Sequence, residues 1–140
     1  MQQKNKIMKY INYIYFNIYC WYYKMKADGR KVDPTGMTAI MFGLFFGGCF
    51  FLIDWIYYHF ILHSYPGNIH EFVLIFVVIL FSGIINQIYL SNNRYQKVYK
   101  DYSSLGVVKN KNRAMLFSFF IIFLPYLILA AFGILLALEG

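Results

Sequence analysis

Three stretches of this 140-residue chain hold no lysine or arginine: Thr38–Leu62, Phe72–Leu90 and Ala114–Leu138. Acid is nearly absent from them too, since Asp54 is the only carboxylate inside any of the three. Charged residues are 14% of the chain against 60% hydrophobic, and a soluble domain this small has too little interior to hide so much apolar surface. Lipid must cover it. Cysteine is scarce. Cys20 falls in a basic segment and Cys49 in an apolar one, so no disulfide is expected. No GxSxG, no P-loop and no paired carboxylates occur, which removes the common hydrolase and nucleotide-binding chemistries. The chain is expected not to be an enzyme and to need no cofactor. The first residues lack a compact apolar run before a small-residue cleavage site, so no cleaved signal peptide is expected.

What is present is charge of one sign, in two places. Seven of the 13 Lys and Arg residues lie between Lys4 and Lys31, and the other six between Arg94 and Arg113. After Asp28, Asp33 and Asp101 are counted, each segment carries a net +5. Basic segments that abut apolar stretches mark the cytosolic side of a membrane protein. The pattern predicts an all-α integral membrane protein: an N-terminal amphipathic interfacial helix followed by three transmembrane helices. The N-terminus is expected in the cytosol and the C-terminus outside, in the inner (cytoplasmic) membrane of a bacterium. Anionic lipid head groups are the expected partners of the basic segments; nucleic acid is not, because both segments adjoin spans.

The expected organisation is a cytosolic-face helix at 1–26, a loop at 27–36 and a three-span domain at 37–140, with a cytosolic basic loop at 91–113. Ile7, Ile11, Ile14, Ile18, Trp21 and Met25 recur at alternating steps of four and three and make one narrow helical stripe. Lys6, Lys9, Asn17, Cys20 and Lys24 fall mostly opposite, with tyrosines on the flanks. Such a helix belongs in the head-group plane. The alternatives are a helix docked in a protein groove, or a fourth span that would bury Lys9, Asn12 and Asn17. Gly29 should end this helix, with Asp33 as N-cap and Pro34 as first residue of the next. The first span should end in an outer aromatic belt of Trp55, Tyr57, Tyr58 and Tyr65. The segment from His63 to Asn68 is expected to turn the chain, with capping-box spacing between Asn68 and Glu71. The second span is expected to continue as helix through Arg94–Tyr102 to near Gly106, and the third to kink at Pro125.

Candidate functional residues are few. An ionised Asp54 in lipid costs at least about 2.5 kcal/mol, so it must face protein, water or a partner, or bind a proton. It lies on the helix face that carries Gly36, Gly43, Gly47 and Tyr58. Gly43 and Gly47 form a GxxxG pair where another backbone can approach, within the three helices or between copies. The third span has its own small stripe: Ala130, Gly133 and Ala137. Ser82, Asn86, Tyr89 and Asn93 share a face of the second span, with Gln87 beside them. With Asp54 they sketch a polar line across the bilayer, suited to a narrow aqueous path or to hydrogen bonds between helices. His59 and His63 are four residues apart and His70 follows the turn. Together they are a possible zinc or copper ligand set, a pH-responsive cluster or plain interfacial residues.

The layout, a surface amphipathic helix and three spans in a small chain, resembles bacterial diacylglycerol kinase. That family's carboxylate-rich catalytic segment has no counterpart here, so the resemblance implies architecture and no activity. Small phage holins share the size and span count, but the commonest three-span holins place the N-terminus outside. The expected function is that of a small oligomeric membrane protein, channel-like or membrane-permeabilising, of the kind used as bacterial effectors. The alternative is a non-catalytic anchoring or regulatory subunit of a larger membrane complex. The charge pattern sets a direct test of topology. In intact cells a membrane-impermeant thiol reagent should label a cysteine placed at Gly67 and miss one at Ser103; the reverse pattern would invert the assignment.

Overall fold

The computed structural model describes residues 2–63, 69–104 and 111–139. They form five helices: α1 (Gln2–Ala27), α2 (Pro34–Phe60), α3 (Ile69–Leu90), α4 (Arg94–Ser104) and α5 (Lys111–Glu139). A 3-10 turn, Ser91–Asn93, joins α3 to α4, and no strand occurs among the described residues. Three of the helices, α2, α3 and α5, are long and apolar enough to cross a membrane. Of the expected turn from His63 to Asn68, residues 64–68 lie outside the described residues, as do the Asn68 side of its capping box and the helix end near Gly106.

Local chemistry sets the helix ends. Gly29 has φ +89°, which only glycine adopts without strain. The Gly29 N–H reaches the Lys26 carbonyl at 3.1 Å and the Arg30 N–H reaches that of Met25 at 3.1 Å. This is the Schellman closure, and it ends α1. Pro34 opens α2 as expected, but Asp33 does not cap it through its carboxylate. That carboxylate instead accepts from the Thr35 hydroxyl at 2.8 Å, and it fills the space beside Gly36.

α2 is the central span, packed against both α3 and α5. Gly43 lies against Ser82 and the Val78 carbonyl, and Gly47 against Val78 and Leu74. Ascending residues of α2 thus meet descending residues of α3, so the two helices are antiparallel. Gly48 faces the Pro125 and Tyr126 side chains, and Trp55 meets Phe132 at 5.9 Å between ring centroids, so α5 runs parallel to α2. The glycine strip is therefore occupied inside the chain, by α3 on one side and α5 on the other. Tyr126 adds a bond across the helices, donating its hydroxyl to the Leu44 carbonyl at 2.7 Å. α5 passes through Pro125 as one helix.

The second span does not run straight on. Asn92 and Asn93 have φ of 54° and 52°, in the left-handed region, and they break the helix between α3 and α4. Asparagine tolerates that region better than any other residue except glycine. After the break α4 turns back over α1. The helix expected through Arg94–Tyr102 is thus present within the basic segment 91–113, but as a separate helix after the break.

The glycine contacts generate a prediction. A side chain at Gly43 would meet Ser82 and the Val78 carbonyl, whereas one at Gly83 would meet nothing within 4 Å. Gly43→Leu should lower the thermal unfolding midpoint in detergent by the equivalent of about 1–3 kcal/mol or more, and Gly83→Leu, at this open glycine of α3, should leave it unchanged. Equal midpoints for Gly43→Leu and the native chain would remove the close approach of α2 and α3.

Candidate functional site

The most elaborate side-chain arrangement lies at the end of the bundle that carries α1 and α4, here called the basic end. Tyr15, Phe16, Asn17, Ile18 and Tyr19 are all buried. Five consecutive helical residues cover more than one full turn, so α1 is enclosed on every side at this point. One side meets the spans. The Tyr15 ring stacks on Tyr89 of α3 with centroids 3.6 Å apart and planes 5° off parallel, and it touches Phe42 of α2. Tyr89 donates its hydroxyl to Asn12 Oδ1 at 2.8 Å. Asn17 donates Nδ2 to Ser118 Oγ of α5 at 3.0 Å, and the Ser118 hydroxyl donates to the Ala114 carbonyl at 2.9 Å. Without that partner the buried Asn17 amide would cost about 1–3 kcal/mol.

The other side meets α4. Phe16 packs on Tyr99 and Tyr102, Tyr19 on Tyr95 and Tyr99, Tyr23 on Tyr99, and Tyr13 on Tyr102. The Tyr102 hydroxyl donates to the Lys9 carbonyl at 3.0 Å. Later residues of α1 pair with earlier ones of α4, so these two helices are antiparallel and α4 clamps α1 onto the spans. The Tyr15 hydroxyl is buried without a hydrogen-bond partner.

This arrangement differs from a free interfacial helix. Of the expected lipid-facing stripe, Ile18 is fully buried and Ile11, Ile14 and Met25 pack on the same core, leaving Ile7 and Trp21 exposed. Asn17, assigned to the polar side, is buried. The period of the isoleucines is real, but tyrosine and phenylalanine on the flanks are also largely apolar. They extend the apolar surface around the helix.

The other candidate residues are dispersed. Ser82 donates its hydroxyl to the Val78 carbonyl of its own helix at 2.7 Å and lies against Gly43. Tyr89 belongs to the aromatic junction. Asn86 is half-buried and Gln87 exposed. Thr38, fully buried, donates to the Pro34 carbonyl at 2.6 Å. The polar face of α3 is thus largely its packing face. Asp54 is half-buried in α2 and engaged within the chain, next to the Trp55–Phe132 contact. Ala130, Gly133 and Ala137 are exposed on α5. His59 stacks on Trp55 with centroids 5.1 Å apart, and His63 is exposed with φ +49°. The His70 side chain lies outside the described residues, among which no group of three His, Cys, Asp or Glu side chains gathers to hold a metal ion.

Sequence reasoning missed the clamp formed by α4. The available signals were the pair Asn92-Asn93 at the end of an apolar run and the spacing of Tyr95, Tyr99 and Tyr102 on one helical face. Comparison with known family models, curated proteins and solved structures finds no match for the chain.

Burial has an electrostatic consequence. It pushes the Tyr19 phenol up from 10.0 to about 12, helped by the neighbouring phenols of Tyr95, Tyr23 and Tyr99. Burial, followed by the nearby Tyr89, raises Tyr15 further. These groups fold neutral, and a raised folded value means that the docked state holds its protons longer than the undocked chain. Stability is therefore fully present below about pH 10 and falls as pH rises through about 12. In an alkaline titration a late fraction of the tyrosinate absorbance should appear together with loss of the near-ultraviolet circular dichroism. Complete ionisation near pH 10 with the dichroism intact would mean that the junction is open to water.

Proposed function

We propose that this chain is a small oligomeric membrane protein, channel-like or membrane-permeabilising, with the basic end in the cytosol and the C-terminus outside. The inner membrane of a bacterium is the proposed location, and α1 would sit at head-group level, held there by α4. The lysine and arginine distribution supports the orientation. One observation carries the oligomer. Between Ala130 and Glu139 only Phe132 and Leu136 are even half-buried, yet this stretch presents the small stripe of Ala130, Gly133 and Ala137. Because the strip on α2 is already occupied, self-association would run through α5. Trp55 meets Phe132, so Asp54 lies level with that stripe. A closed ring built through α5 would bring one carboxylate per copy to the same depth, near the aromatic end. Such a ring favours cations.

A second reading is favoured by a different observation. Thr38, Ser82 and Ser118 all donate to carbonyls of their own helices, so none of the three has a hydroxyl proton free for a water path inside one copy. A non-catalytic subunit that anchors or regulates a larger complex needs no such path. Two measurements separate the readings. The oligomer reading expects a detergent particle several times the 16.6 kDa chain mass, reduced by Gly133→Leu while the fold persists. It also expects current across a planar bilayer, with cation preference weakened by Asp54→Asn. A monomeric particle that passes no current at any voltage or pH would favour the subunit.

A further inference from the structure

Where α3 ends and α4 turns back, a cavity of about 530 Å³ opens at the basic end. Its shape follows from the left-handed break at Asn92 and Asn93. Arg94, Lys97, Val98 and Asp101 line it from α4, at the spacing that puts them on one helical face. Asn12 of α1 faces them, with Ser91 at the turn and Ile88 of α3 on the bilayer side.

The lining has a definite chemistry. The Arg94 guanidinium sits over the Tyr89 ring, 5.4 Å from its centroid, which holds one cation in place. Lys97 is exposed and forms no ion pair among the described residues. Asn12 uses its Oδ1 to accept from Tyr89, so its amide N–H groups remain available as donors. Two cations, an amide and the Ser91 hydroxyl converge, against the single carboxylate of Asp101. Ile88 and Val98 supply an apolar wall that continues into the span.

We infer that this cavity binds a phosphate group, through bidentate contact with Arg94 and a second charge from Lys97. A planar guanidinium matches two phosphate oxygens, and an ammonium beside it adds an unshaped charge. The position, at the point where a span leaves the apolar zone, is where the phosphates of a bilayer lie. The apolar wall suits the start of a lipid's acyl region. The site does not depend on whether the chain conducts ions or anchors a complex.

The test uses the full chain, purified in detergent and stripped of lipid. Native mass spectrometry would compare dioleoyl phosphatidylglycerol with dioleoyl phosphatidylcholine, and thermal unfolding would be followed with and without inorganic phosphate. The native chain should prefer the anionic lipid by about tenfold, because both lipids offer a phosphate but the choline cation of the zwitterionic one is repelled by Arg94 and Lys97. Arg94→Gln/Lys97→Gln should abolish the preference. Arg30→Gln/Lys31→Gln, which removes the same charge elsewhere at the basic end, should keep it. Should loss of Arg94 from the Tyr89 ring unfold the protein, Lys97→Gln alone should still weaken the preference severalfold. Stabilisation by inorganic phosphate that disappears in Arg94→Gln/Lys97→Gln, with no lipid preference, would assign the same site to a free phosphate compound. The inference is overturned if the preference survives Arg94→Gln/Lys97→Gln, if both double variants lose it equally, or if neither lipid nor phosphate binds.

Discussion

The middle of α1 is buried around its whole circumference, and much of the basic end follows from that. A helix lying on a bundle buries one face. Burying Tyr15 through Tyr19 on all sides requires a cover, and α4 is that cover. For α4 to lie over α1 the chain must reverse after α3, which the left-handed residues Asn92 and Asn93 accomplish. Backbone strain of that kind costs of order 1–3 kcal/mol per residue, less for asparagine. A fully buried aromatic ring is worth about 4 kcal/mol as an upper estimate. Several rings are buried at the junction, so the contacts outweigh the bend. Asn17 is the exception that fits. It is a polar residue inside the enclosed turn, and it reaches Ser118 of α5.

Two kinds of helix contact operate in one chain because the surroundings differ. Inside lipid, apolar side chains gain little by leaving one hydrocarbon for another, so α2 meets its neighbours by close approach. Gly43 and Gly47 admit α3, Gly48 admits Pro125 and Tyr126, and the Tyr126 hydroxyl adds a bond to the Leu44 carbonyl. At the basic end, water is near and removal of aromatic surface from it becomes a driving force. There the contacts are large rings on large rings. The change occurs near Phe42, which lies next to Gly43 and touches Tyr15.

The spans were legible because twenty or so apolar residues without lysine or arginine have few other solutions. Gly29 and Pro34 were legible because each restricts the backbone in a way that fits a helix end. The GxxxG pair was visible, but its partner was not. A glycine strip says that a backbone comes close and carries no record of which one. Periodicity failed on α1 for a physical reason. It counts isoleucine as inside and leaves tyrosine undecided, and here Tyr15, Tyr19 and Tyr22 are buried beside Ile18 while Ile7 is exposed. The candidate site suffered in the same way. Ser82 and Tyr89 read as a polar line in sequence, but both serve contacts between helices. The cavity beside Arg94 depends on the reversal at Asn92, which brings Asn12 and Lys97 together across most of the chain.

The clamp also concentrates charge. With α1 and α4 antiparallel, the two basic segments meet at one end of the bundle. Lys6, Lys9, Lys24, Lys26, Arg30, Lys31, Lys97 and Lys100 are all exposed there. The acids in the same segments, Asp28, Asp33 and Asp101, are too few to balance them. Like charges closer than a screening length of about 8 Å repel, and the repulsion acts directly against docking of α4 on α1. Aromatic burial holds the helices together in spite of it. An anionic surface that binds the docked arrangement relieves the repulsion and stabilises the clamp by mass action. By the same linkage, a clamp that is already closed presents a denser patch of charge and binds that surface more tightly. A bilayer with an anionic face would then act on this chain twice, as a solvent for α2, α3 and α5 and, on the reading proposed above, as a ligand for α1 and α4.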